Sequence, residues 1–478
     1  MDKKTSILSN IMWRFMERCG AQAVSFIVSL ILARLLSPND YGTIALVMVF
    51  ISILNVFVDG GFGNSLIQKK NADDIDFSSV FFFNISICII IYILMYFVAP
   101  YIAEFYNRSN LTSVIRVLSL ILIISGIKNV QQAYISKHLL FKKFFFSTLI
   151  GTIGAAIVGI TMAYLGYGVW ALVAQQLFNT TVDSIILWIT VDWRPKKKFS
   201  FDRLKSLISY GWKFLVSNLL NTGYENLRSL IIGKLYSASD LAFYDKGKHY
   251  PYLVTSNVNT AIDSVLLPTM SLVQDNREEV KAITRKSIKL STYIMAPLMM
   301  GLAFTSNKVV PLLLTEKWSP CIPFLCVFCI CYMFYPIHTS NLNAIKALGR
   351  SDLFLILEII KKAMDIVIIL ITMRISVWAM CVSEIVSSIG SQIINSWPNK
   401  KLLNYKYIDQ LKDIAPSILL SLLMGIIVYF IGKIEMPLII CVLVQVTSGV
   451  VIYVIGSQVF KLDTYIYLIG LIKEKIRE

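Results

Sequence analysis

Residues 11–36, IMWRFMERCGAQAVSFIVSLILARLL, decide how this chain is read. A mostly apolar run of this length is what a membrane-crossing helix requires. Charges inside such a run are expensive against lipid, so Arg14, Glu17 and Arg18 are expected to face protein or water. Their i, i+3, i+4 spacing sets all three on one helix face. The stretch also recurs: Trp13-Arg14-Phe15 is echoed by Trp212-Lys213-Phe214. Its exit, Arg34-Leu35-Leu36-Ser37-Pro38-Asn39-Asp40, returns as Lys234-Leu235-Tyr236-Ser237-Ala238-Ser239-Asp240. Two halves of similar plan, each opened by a charged helix, are expected of a transporter built from a repeat.

Composition agrees. The 478 residues are 56% hydrophobic and 15% charged, with a mean hydropathy of +0.67, too apolar for a soluble domain. No small-residue cleavage pattern follows the first helix, so no signal peptide is expected. Apolar segments fall near 11–36, 41–66, 78–99, 112–135, 146–165, 168–191, 209–236, 245–268, 288–311, 322–344, 353–373, 377–396, 415–432 and 437–459. The expected fold is all-α and integral to the membrane, with about 14 spans.

Connections on one side carry 28 Lys and Arg against four on the other, Arg108, Lys317, Arg374 and Lys433. The positive-inside rule then sets both termini in the cytoplasm and the protein in the inner (cytoplasmic) membrane. The net charge of +16 is accounted for by these loops rather than by nucleic-acid binding. Two six-helix lobes follow, 1–191 and 209–396. Between them runs a basic linker, 192–208, in which Phe201, Leu204 and Ile208 share a face expected to lie on lipid. Residues 397–478 add two helices, nearly free of charge apart from their loops, and a basic amphipathic tail.

Chemistry is sought among polar residues at membrane depth. Arg14, Arg18, Lys213, Lys361 and Lys362 gather towards the basic side, where a cationic vestibule would concentrate a phosphorylated substrate, and Arg228 joins them as a candidate for binding it. Arg offers planar bidentate contacts to phosphate and Lys a movable point charge. Glu17, Asp59, Glu225, Glu358 and Asp365 are the acidic candidates for ion coupling or pairing; Glu225 with Arg228, and Glu358 with Lys362, could instead neutralise one another as packing pairs. Arg34, Arg116, Lys234 and Lys308 read as snorkelling residues. Asp59-Gly60-Gly61-Phe62-Gly63-Asn64 matches no phosphate-binding loop and is read as a helix break. Gly151, Gly154 and Gly159 suit close helix packing, and His338 reads as structural filling. Cys321, Cys326, Cys329 and Cys331 lie on an apolar segment and read as small hydrophobes rather than a cluster-binding loop. No nucleophile elbow, metal spacing, cofactor motif or sizeable outer loop appears, so no enzyme is expected.

Leu36-Ser37-Pro38-Asn39-Asp40-Tyr41-Gly42, Lys317-Trp318, Ala347-Leu348-Gly349-Arg350 and the long runs 33–68, 218–274 and 297–352 carry a resemblance over nearly the whole chain. It is similar to bacterial polysaccharide (O-antigen, capsule or exopolysaccharide) flippases of the multidrug/oligosaccharidyl-lipid/polysaccharide exporter superfamily. The resemblance implies a MATE-like, V-shaped, two-lobed fold and alternating access. It implies transfer of an undecaprenyl-diphosphate-linked oligosaccharide from the cytoplasmic to the outer leaflet. Cationic cavity residues would hold the diphosphate, H+ or Na+ would drive the cycle, and polysaccharide polymerase or export machinery would be partners alongside membrane lipids. The alternatives are a drug/cation antiporter on the same fold, which would want an anionic cavity, a flippase for a lipid-linked peptidoglycan precursor, and a membrane polymerase or glycosyltransferase, which would want a large outer loop.

Overall fold

The computed structural model describes the backbone of residues 3–60 and 62–477; the side chains of 3–11, 14, 15, 17–19, 62, 64, 206, 210, 471, 472 and 475–477 fall outside the described set. Every regular element in it is helical. The chain forms two compact units, Met1–Ala242 and Phe243–Glu478.

The first unit holds α1 (Lys3–Leu35), α2 (Pro38–Asp59), α3 (Phe62–Gln68), α4 (Asp74–Phe105), α5 (Leu111–Leu118), α6 (Leu120–His138), α7 (Phe141–Tyr164), α8 (Val169–Thr190) and α9 (Phe201–Leu235). The unit boundary falls inside α10 (Ala238–Leu272). The second unit continues with α11 (Arg277–Leu314), α12 (Ile322–Met333), α13 (Tyr335–Ala347), α14 (Ser351–Thr372), α15 (Val377–Leu402), α16 (Tyr407–Ile431), α17 (Leu438–Val459) and α18 (Asp463–Arg477). Each expected apolar segment is a helix or a broken pair of helices. Among the described residues, nine of these are long and apolar enough to cross a membrane; the fuller count of fourteen stays a proposal.

The outward faces are what a bilayer needs: Phe97, Ile189, Leu370 and Leu443 are each more than half exposed, which in water would drive aggregation. Inside, small and polar residues let helices approach closely. On α7, a side chain at Gly154 would meet the Phe178 ring of α8 at 2.7 Å, and one at Gly159 would meet Gln175 at 3.0 Å.

The sequence echo has a physical counterpart. Ser37 caps α2, its hydroxyl accepting from the Asp40 amide at 3.2 Å while its own amide donates to Asp40 Oδ2 at 3.1 Å. Ser237 does the same for α10 with Asp240, at 3.0 and 3.1 Å. Such reciprocal boxes satisfy the orphan donors of a helix start. The two caps touch: a Cβ on Gly42 would lie 1.7 Å from the Ala238 carbonyl oxygen. The expected break after Asp59 occurs at Gly60, which ends α2 at φ +47°.

The basic linker is clasped rather than free. Arg203 reaches Asp73 at 2.5 Å and Lys196 reaches Asp74 at 2.5 Å. The Arg203 guanidinium, with the capping amides, holds the Asp73 carboxyl down at about 2. The apolar face expected on lipid divides: Phe201 is exposed, but Leu204 is buried with Leu187 and Trp193. It runs on without interruption into α9. The tail helix α18 likewise turns Tyr465 and Leu468 onto a protein core built around Tyr293 and Tyr453.

In the second unit α11 is the spine against which α12, α13, α16 and α17 pack. Four buried amides and hydroxyls lock α13, α15 and α16 together. Asn341 donates to Gln410 at 2.8 Å, Asn399 donates to Asn341 at 2.6 Å, and Ser396 donates to Gln410 at 3.1 Å.

Gly42→Val should cost about 1–3 kcal/mol through overpacking against a backbone that has no rotamer to yield. Thermal unfolding of the detergent-solubilised protein should show a clearly lowered Tm; an unchanged Tm would mean that the caps do not meet.

Candidate functional site

Among the described residues, a polar chamber lies in the second unit, between α10 and α13. Along α10, Tyr252, Thr255, Ser256, Asn259, Thr260 and Asp263 repeat every three or four residues and so share a face. Along α13, Tyr335, His338, Thr339, Asn343 and Lys346 do likewise. The chamber between them holds about 270 Å³. Tyr335 and His338 line it just after the point where α12 ends at Met333 and α13 restarts beside Pro336, a helix break of the kind tolerated at membrane depth where it lines a cavity.

Its walls are fixed by mutual hydrogen bonds. Asn343 donates to Asp263 at 2.6 Å, and Thr339 donates to Asn259 at 3.3 Å. Asn395 of α15 meets His338 Nδ1 at 3.0 Å and keeps its own carbonyl oxygen buried without a partner among the described residues. Tyr252 and Tyr335 stand half-exposed at the rim, with Tyr332 within 6.2 Å of each ring. A carboxylate, amides, hydroxyls and phenol rings together offer donors, acceptors and flat apolar faces, the set that grips a polyhydroxylated ring. Of these residues only His338 stood out in the sequence. Ser, Thr and Tyr are near-neutral in hydropathy, so the stripe along 252–263 shows only in its periodicity. His338, read as filling, is a wall of this chamber.

The first unit carries a second polar cluster. α6 places two neighbours in opposite service: Lys128 pairs with Asp183 of α8 at 2.8 Å, and Asn129 donates to Asp59 of α2 at 3.0 Å. Asp183 is 8% exposed, and its other oxygen, Oδ1, has no partner among the described residues.

The expected site residues are distributed as follows. The side chains of Arg14, Glu17 and Arg18 lie outside the described residues. On α9, Lys213 and Glu225 are exposed, whereas Arg228 is 5% exposed. Lys213 and Arg228 are roughly 22 Å apart along the helix axis, too far to hold one phosphate. On α14, Glu358 takes Lys361 at 2.5 Å, so the carboxylate is bound at i+3 rather than by Lys362 at i+4. Lys362 is half-buried. Asp365 is buried and accepts from Ser387 of α15 at 2.5 Å. The stripe Glu358, Lys361, Lys362, Asp365 is thus partly self-neutralised. Cys321, Cys329 and Cys331 are buried and Cys326 half-buried on α12 and its approach, and among the described residues no His, Cys, Asp and Glu side chains gather as metal ligands.

An all-helical membrane body, with a polar chamber and isolated ion pairs at membrane depth, is the build of a multi-pass membrane transporter. The chain belongs to the polysaccharide biosynthesis protein family, whose model matches residues 31–323. It is similar to the lipopolysaccharide biosynthesis protein WzxC of Escherichia coli K12, with 22% identity over 74% of this chain and 72% of that one. It is similar to the succinoglycan biosynthesis transport protein ExoT of Rhizobium meliloti, with 22% identity over 67% of this chain and 65% of that one. Its fold resembles that of the lipid II flippase MurJ in an inward closed conformation, with a TM-score of 0.75 and 15% identity over 95% of this chain and 99% of that one.

Breaking the Lys128–Asp183 pair from one side should be costly, because the partner charge stays buried. Lys128→Met alone should lose about 3–5 kcal/mol of stability, and Lys128→Met combined with Asp183→Leu should regain much of it. A double-mutant cycle on Tm in detergent checks this; additive losses would show that the two charges do not depend on each other.

Proposed function

We propose that this protein moves an undecaprenyl-diphosphate-linked oligosaccharide repeat unit from the cytoplasmic to the outer leaflet for surface polysaccharide synthesis. The observation that carries the reading is the α10–α13 chamber: eleven polar and aromatic positions gathered round one space, too costly to maintain unless something polar passes. Family membership supplies the class of cargo.

The physics divides the cargo into three parts. The polyprenyl tail needs no help, because lipid solvates it. The diphosphate and the sugars cannot cross hydrocarbon unaided, since a charge at the bilayer centre costs several kcal/mol or more. In this reading the sugar hydroxyls exchange water for Asn259, Asp263 and Asn343, and ring faces rest on Tyr252 and Tyr335. The diphosphate is held by cations of the set Arg14, Arg18, Lys213, Arg228, Lys361 and Lys362, each used at a different depth. Glu17, Asp59, Glu225, Glu358 and Asp365 are the carboxylates through which H+ or Na+ would be coupled. Alternating access between the two lobes, 1–191 and 209–396, completes the cycle. The protein works in the inner membrane with both termini cytoplasmic, beside the polymerase and export machinery that consume its product.

Expression in strains lacking defined flippases identifies the glycan, by which surface polysaccharide returns. Asp263→Ala and Tyr252→Ala should each lower that polysaccharide at least tenfold at unchanged membrane level, and Arg14→Glu or Arg18→Glu should abolish it. Full restoration by all four variants, or none by the native chain in any strain, would refute the assignment.

A further inference from the structure

The second unit contains another cavity, which transport leaves unused. It lies where α16 begins, α17 turns into α18, and α11 passes behind, and it holds about 660 Å³. These helix ends carry the basic loops. One wall is apolar and open on its outer side: Leu419, Leu423 and Phe460 are 64%, 46% and 63% exposed. Both α16 and α17 are long and apolar enough to cross a membrane, so this wall lies against hydrocarbon.

The opposite wall is charged, and its charges are unequally satisfied. Lys289 is shared between Asp413 at 3.5 Å and Asp463 at 3.4 Å. Arg285 grips the same Asp413 through two hydrogen bonds of 2.6 Å. Both acids are therefore occupied. Lys412 and Lys461 line the cavity too, exposed and without a partner among the described residues. Lys461 sits at φ +48°, in the turn that swings the chain from α17 into α18. Thr464 adds the first turn of α18, where backbone amides lack helical partners. α18 is held in place by Leu462 and Tyr465 on the Tyr293–Tyr453 core and by Lys286 over the Tyr467 ring at 3.9 Å.

Two unanswered ammonium groups beside an apolar wall that opens to lipid define the occupant. We propose that this cavity binds an anionic glycerophospholipid of the surrounding leaflet, its phosphate between Lys412 and Lys461 and its acyl chains along Leu419, Leu423 and Phe460. A zwitterionic lipid is disfavoured, since its own ammonium would add a third positive charge to the pocket. The inference does not rest on what the transporter carries.

The test uses the full-length protein in detergent, titrated with phosphatidylglycerol or phosphatidylcholine and read by native mass spectrometry and by Tm. Phosphatidylglycerol should bind on the order of tenfold more tightly than phosphatidylcholine and raise Tm. Lys412→Gln with Lys461→Gln should remove that preference, whereas Lys197→Gln with Lys198→Gln in the exposed linker should keep it. Leu419→Asp should weaken both lipids. Equal binding of the two lipids, a preference surviving in Lys412→Gln/Lys461→Gln, or displacement of phosphatidylglycerol by equimolar undecaprenyl phosphate would each overturn the proposal.

Discussion

Hydrocarbon offers no hydrogen bonds, and this single fact governs where every polar atom of the chain is placed. A donor or acceptor left unpaired at membrane depth costs several kcal/mol. The structure responds in two ways. Some polar groups are consumed by one another, as in the knot of Asn341, Ser396, Asn399 and Gln410 or the Lys128–Asp183 pair. Others are gathered round a space, as along α10 and α13, where water or cargo can answer them. The first kind holds helices in register; the second kind is where the proposed function is placed.

The same constraint explains the economy of the helix junctions. Each of the two Ser-x-x-Asp caps closes on itself with a hydroxyl, a carboxylate and two amides. No external donor is needed, so the caps can press together with Gly42 against the Ala238 backbone. The broken helices α2–α3 and α12–α13 are complementary devices. Gly60 supplies a left-handed residue that ends one segment, and Pro336 restarts another beside the chamber.

Much of this was legible in the chain because it is local. The apolar segments, the repeated cap, the break at Gly60 and the small-residue face of α7 all follow from spacing within one helix or one turn. What spacing could not decide was pairing across helices. Glu358 had two lysines within reach and took Lys361. Leu204 could have met lipid and instead met Trp193 and Leu187. The chamber is hidden for a related reason: Asn259 and Thr339, or Asp263 and Asn343, lie eighty residues apart, so no spacing within one helix pairs them. Charge is the plainer signal in the sequence, yet Glu358 and Lys361 on α14 are spent on each other.

The account stands on the α10–α13 chamber being wet and receiving the saccharide, which thiol labelling reads directly. Ser256→Cys faces the chamber, whereas Val265→Cys lies on the opposite face of α10 and is 65% exposed towards the surroundings of the unit. In membrane vesicles, a water-soluble, membrane-impermeant maleimide should modify Ser256→Cys and not Val265→Cys. Lipid-linked oligosaccharide should slow that modification severalfold. A Ser256→Cys protein that stays unreactive, or that reacts equally fast with and without the glycolipid, would contradict the account.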